Sequence, residues 1–233
     1  MTAPSAQLRS TVGLLLPSLS RVGEQFWSHP RLTTLYPRYL VAVHTIIRAS
    51  VPLMVDALAV VRESYLDTPA GPELAAYFVQ HIPEETGHDD WLLDDLARLG
   101  LPREVATAHL PSPTVAAMVG AQYYYIRHYH PAVLLGYIAV LEGYPPDVEL
   151  ARRAAELTGY PIEAFRTLRK HAHLDPHHKQ DLDDALDGMS FDENLHGLIR
   201  ANGLQTMHRL IQLMDEVLTE SLSSLLATEL VVS

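Results

Sequence analysis

An all-α fold is what this sequence predicts, on three observations. Apolar residues recur at steps of three, four and seven nearly throughout, which is the period of one helix face, and no stretch shows the period of two of a half-buried strand. Proline and glycine cluster at points that cut the chain into roughly seven to nine segments of helical length. The composition, 48% hydrophobic and 19% charged over 233 residues, is that of a globular chain long enough to bury a core.

The breakers place the elements in order. A first helix runs from about Ser5 to Trp27 and ends before His29-Pro30, because the residue preceding a proline is pushed out of the helical region. Two more lie between Arg31 and Leu66, divided or kinked at Val51-Pro52. Asp67-Thr68-Pro69-Ala70-Gly71-Pro72 is a turn. A long helix then spans about Pro72 to Leu99 and stops at Gly100-Leu101-Pro102, a glycine suited to a left-handed cap with proline beyond it. A short helix covers Pro102 to Ala108. The segment from Ser112 to Gly143 reads as one long helix, since Val115, Val119, Gln122, Ile126, Val133, Tyr137 and Leu141 fall on one stripe. Another helix covers Pro146 to Thr158, and Gly159-Tyr160-Pro161 opens the next. The last runs from Ser190 to about Leu226, with Ser190 and Glu193 at capping-box spacing. No repeat and no linker-like stretch appears, so residues 1–233 are expected to form a single domain.

Composition narrows the chemistry. The chain has no cysteine and 13 histidines, four of them between His171 and His178. Disulfides, thiolate metal sites, iron–sulfur clusters and cysteine nucleophiles are thereby excluded, and any bound metal must accept nitrogen and oxygen donors. A net charge of −11 repels phosphate backbones and anionic lipid, so nucleic acid is not an expected partner. Gly13-Leu14-Leu15-Leu16-Pro17 is too short for a signal core, and Pro131 to Leu141, read as the longest apolar stretch, is too short for a span. The chain therefore reads as cytoplasmic, without a membrane partner.

Three segments carry candidate ligands. In His171-x-x-x-Asp175-x-x-His178, steps of four and seven rotate by roughly 40° and −20°, so the three side chains share one helical face. Two imidazoles and a carboxylate there suit ferrous iron or a similar divalent ion. Glu85 and His88, within His81-Ile-Pro-Glu84-Glu85-Thr-Gly-His88, have the Glu-x-x-His spacing of di-iron carboxylate bundles, and His81 shares the face of His88. Glu142 ends an apolar helix, where a lone carboxylate is costly unless paired, exposed or metal-bound. Together these give three oxygen and three nitrogen donors, more than one ion needs. Pro83 and Pro176 lie inside the ligand helices and free the carbonyls of Val79 and Ala172, so each is expected to kink or unwind its helix. Asp95 and Asp181 lie near enough to orient a ligand imidazole. Arg127, in an aromatic stretch from Gln122 to His130, could clamp a substrate carboxylate.

With Glu85-x-x-His88, the helix Pro131-x4-Gly136-x5-Glu142 and His171-x3-Asp175-x2-His178 quoted, the sequence resembles the heme-oxygenase-like di-iron oxidases and oxygenases, also described as iron-containing redox enzymes. The resemblance covers most of the chain. It implies a heme-oxygenase-like bundle of about seven main helices and two iron ions held by Glu85, His88, Glu142, His171, Asp175 and His178. Members take the carboxylate of the His88 helix three, seven or ten residues upstream, here Glu85, His81 or Phe78; Glu85 is the expected ligand and Glu84 the fallback. The resemblance further implies dioxygen as co-substrate, an external reductant, a small-molecule substrate, an electron-donor partner and room for a homodimer. N-oxygenation of an amine or an amino acid-derived substrate is the expected reaction, with oxidative C–C cleavage of an amino or fatty acid as the alternative. Two readings outside that class are a heme oxygenase using His29 or His44 as axial ligand and a non-enzymatic iron-binding protein. A thiaminase-type hydrolase of the same fold lacks its cysteine nucleophile here.

Overall fold

The computed structural model describes residues 2–219. Twelve α-helices and two 3-10 turns make up its secondary structure, and no strand occurs among the described residues. The predicted helices are present, but three of them are each divided in two. The first becomes α1 (Pro4–Gly13) and α2 (Leu16–Trp27), with Pro17 in the opening turn of α2, where its missing N–H costs nothing. Between Arg31 and Leu66 lie α3 (Leu32–Ile47) and α4 (Ser50–Ser64). Their break falls at Arg48-Ala49, so Pro52 sits in the first turn of a helix and does not kink one. The stretch Leu32–Ser64 is longer than Pro131–Leu141 and apolar enough, by length and composition, to cross a membrane, but 44% of its most apolar window is buried inside the bundle.

The predicted helix from Pro72 to Leu99 is α5 (Gly71–Glu85) followed by α6 (His88–Arg98). Gly87 separates them in the left-handed region at φ 90°, and Thr86 before it is extended. Pro83 has already removed one hydrogen bond from the final turn of α5, so glycine can end the helix there. After α7 (Arg103–Ala108), the supposed long helix from Ser112 is α8 (Pro113–His128), a 3-10 turn (Pro131–Val133) and α9 (Leu134–Leu141). His130 is extended, as the residue before a proline tends to be, and the stripe read across this point joins two helices. Then come α10 (Leu150–Thr158), a 3-10 turn (Ile162–Phe165), α11 (Arg166–Gly188) and α12 (Glu193–Thr219). Pro176 does not interrupt α11, which is helical through all 23 residues. The cap of α12 is Asp192, whose Oδ1 accepts from Leu195 N at 2.8 Å, and not the Ser190–Glu193 box. The predicted continuation to Leu226 lies outside the described residues.

Helix α12 is the centre of the bundle and packs on α9, α1, α2, α8 and α3. Its closest approach is to α9: a Cβ on Gly136 would lie 2.2 Å from the Ile199 carbonyl oxygen, and Gly203 offers the matching gap on α12. Beside this crossing Asn202 donates to Val133 O at 2.7 Å and to Gln122 Oε1 at 2.8 Å, while Gln122 donates back to Asn202 Oδ1 at 3.1 Å. These buried, mutually satisfied amides fix the junction of α8 and α9 on α12, and with it the direction in which α9 ends. Gly136→Ala is accordingly expected to cost about 3 kcal/mol or more in urea unfolding, since the methyl meets backbone that cannot step aside.

Candidate metal centre

Three parts of the bundle converge on one buried cluster. The final turns of α5 supply His81 and Glu85, four apart and on one face; the Gly87 turn delivers His88 as the first residue of α6. Glu142 is the residue that ends α9. Gly143 follows it because a Cβ there would meet the Ala139 carbonyl and the Arg9 guanidinium, each at 2.1 Å. Arg9 donates to that carbonyl at 2.7 Å and pairs with Asp183, tying the end of α9 to α1 and α11. Helix α11 contributes His171, Asp175 and His178 from one face, with His173 and His177 exposed on the other.

The innermost group is His81, Glu85, Glu142 and His178, one ligand atom from each lying within 4.8 Å of all the others, and all four are buried. His81 Nε2 donates to Glu142 Oε1 at 2.9 Å, and its Nδ1 to Glu84 Oε2 at 3.2 Å. Glu85 faces two ways. Its Oε2 is 3.1 Å from His88 Nδ1 and its Oε1 is 3.4 Å from His178 Nδ1. The ring of His171 stands perpendicular to that of His88 with centroids 5.2 Å apart. Its Nδ1–H donates to Thr167 O at 2.9 Å, which leaves Nε2 bare for a ligand.

Several of these atoms have no hydrogen-bond partner although they are buried: Glu85 Oε1, Glu142 Oε2, Asp175 Oδ1, His88 Nδ1 and His178 Nδ1. Buried polar atoms are normally satisfied, and five unpartnered ones in one cluster form a donor set suited to holding a cation. The spacing agrees, because donors about 2.1 Å from a common ion sit about 3 Å apart when adjacent. The electrostatics agree as well. Burial raises the Asp175 carboxyl to about 8, with the charges of Glu142 and Glu85 adding to the rise. Burial likewise raises Glu142, despite the neighbouring His81. Burial would lower His81, but its bond to Glu142, the charges of Glu142 and Glu85, and its bond to Glu84 raise it to about 9. His81 thus carries a proton between two carboxylates, and Glu85, Glu142 and Asp175 lie together in one buried site.

The residues singled out from the sequence do not all gather here. Glu84 is exposed and holds His81 from outside, so it is not placed as a ligand. Asp181 is exposed and forms no hydrogen bond with the imidazoles of the site. Arg127 pairs with Asp56 at 2.5 Å on an exposed face and does not line the cavity, so it clamps no substrate there. Asp95 is fully buried and acts through the backbone: its two oxygens accept from Arg166 N at 3.2 Å and Thr167 N at 2.9 Å, capping α11 from a neighbouring helix. Since Thr167 O in turn orients His171, Asp95→Asn should weaken iron binding and also cost about 1–3 kcal/mol of stability, measurable by urea unfolding. His81, expected at most nearby, lies instead at the centre; its position four before Glu85 on the same helix was the signal that could have found it.

A cavity of about 320 Å³ opens from this cluster, with Glu85, Glu142, His171 and Asp175 at its polar end. The remaining wall is apolar, from α2, α3, α4, α9 and α12, with a few hydroxyls. Neither His29 nor His44 lines it.

A family model described as iron-containing redox enzyme matches residues 50–230. Among solved structures, a domain of unknown function with a heme oxygenase-like fold from Shewanella denitrificans OS217 superposes with a TM-score of 0.77 at 15% identity, covering 94% of this chain and 93% of that one. A TenA homologue from Pseudomonas syringae pv. tomato gives 0.70 at 13% identity over 92% of both chains. A TenA homologue from P. horikoshii OT3 gives 0.61 at 15% identity, over 93% of this chain and 98% of that one. At such identities these similarities show the heme oxygenase-like fold alone. No curated protein matches the chain.

Proposed function

The chain belongs to the iron-containing redox enzyme family, and from that premise we propose that it is a non-heme di-iron oxidoreductase that activates dioxygen and transfers oxygen to the nitrogen of an amine. The observation that carries the dinuclear reading is Glu85, whose two carboxylate oxygens face two different histidines, His88 and His178. A carboxylate so placed would bridge two ions, one held with Glu142 and His178 and the other with His88 and His171, while Asp175 would complete the donor set and His81 would remain the hydrogen-bond donor to Glu142. Two divalent ions would be matched by three carboxylates and the imidazoles, a donor set suited to iron. Bound as a ferrous pair and recharged by an external reductant, the metal supplies the electrons that dioxygen activation requires.

The chain's own residues prepare the site for this. Thr167 O fixes the proton of His171 on Nδ1 and leaves Nε2 free. His81 holds Glu142 Oε1 through Nε2–H, and Glu84 holds His81 from the solvent side, so the innermost carboxylate is linked to the surface by one imidazole. The apolar cavity wall excludes water from the reacting atoms and favours the neutral, nucleophilic form of an amine over its ammonium.

The test is aerobic turnover of ferrous-loaded protein with a panel of primary amines, following oxygen uptake and products by mass spectrometry. A product heavier by oxygen bound to nitrogen is expected. Carbon–carbon cleavage products would overturn the N-oxygenation, and repeated iron oxidation with no organic product would identify an iron store.

A further inference from the structure

The cavity has an asymmetry of charge that bears on its occupant. Among the described residues, every ionisable acid or imidazole on its wall belongs to the metal end, and no lysine or arginine lines it. An amino acid or diamine would therefore bury a second charged group with no opposite charge to pair it, only hydroxyls such as that of Tyr137, a cost that disfavours such substrates. The far wall also contains Gly23, inside α2 (Leu16–Trp27), a helix that contributes nothing to the metal end. A glycine in a helix interior weakens it relative to alanine. Backbone geometry does not demand one here, because Gly23 has no positive φ, and a Cβ built on it meets nothing within 4 Å. What the missing side chain leaves is space in the cavity.

We propose that this cavity takes a substrate with one polar head group at the metal end and an uncharged hydrocarbon body, and that Gly23 is the specificity-determining residue that admits the body. The position of the head rests on the di-iron reading; the fit of the body does not.

The experiment uses the full chain without metal and titrates it calorimetrically with 1-octanol, 1-decanol, 1-decylamine and lysine. Decanol and decylamine should bind, decanol about tenfold more tightly than octanol for its two further methylenes, and lysine should not. Gly23→Leu should weaken decanol at least tenfold and Gly23→Ala by an intermediate factor, while both keep the ferrous-ion stoichiometry and a melting temperature no lower than that of the unaltered chain. Lysine binding as tightly as decylamine, or decanol affinity indifferent to both substitutions, would overturn the proposal. If decanol behaves as expected and the protein takes up no iron pair, the hydrocarbon site stands and the di-iron reading fails; the reverse outcome separates them equally well.

Discussion

Glu85→Ala is expected to reduce bound iron from two ions per chain to one or none, with affinity for the remaining ion weakened by roughly 100-fold or more, because both ions lose the same ligand. Anaerobic ferrous titration with metal analysis reads this directly. The residue is 7% exposed, and the positive charges around it offset burial so that its carboxyl stays below the ordinary range. A lowered carboxyl means that the folded site favours the Glu85 charge, so the metal-free variant should also lose some stability in urea unfolding, and ion binding is read where it remains folded. A variant that still binds two ions would show that Glu85 does not bridge.

Asp175→Asn is expected to act in opposite directions on the metal-free and loaded protein. The Asp175 carboxyl rises from 3.8 to about 8 on folding. A raised carboxyl binds its proton more tightly in the folded chain, so its contribution is favourable below pH 4 and is lost as pH climbs toward 8. His81, raised from 6.5 to about 9, adds a loss in the same direction at higher pH. Metal-free protein should accordingly lose stability between about pH 4 and 9. Asparagine, which carries no charge, should recover about 5 kcal/mol at pH 8 and almost nothing at pH 4, read by urea unfolding in the presence of a chelator. Ferrous iron should hold the acids ionised, remove the loss in the unaltered protein and fail to rescue the variant. Reduced stability of the metal-free variant at pH 8 would mean that the carboxylate makes a net favourable contact.

What could be read in the sequence follows how local the determining interaction is. His171, Asp175 and His178 were placed on one face because α11 is an unbroken helix, and period alone decides direction there. Glu85 and His88 come together for a different reason from the one their spacing offered. They lie on two helices, and the left-handed turn at Gly87 folds one toward the other. The division of the segment from Ser112 to Gly143 had a local signal in His130-Pro131, outweighed by an apolar stripe that continues across it. Asp95 and Arg127 show the other limit. Asp95 caps a helix 71 residues away and Arg127 pairs with Asp56, also 71 residues away, and neither partner is implied by its neighbours in sequence. The i,i+4 spacing of His81 and Glu85 places His81 on the ligand face, but its bond to Glu142 depends on where α9 ends across the bundle.

The most direct measurement of the central claim is Mössbauer spectroscopy of the full chain after anaerobic titration with ⁵⁷Fe(II). Two iron ions per chain are expected, in two sites coupled through the shared Glu85 carboxylate. A single iron per chain, or two ions with no magnetic coupling, would contradict that claim.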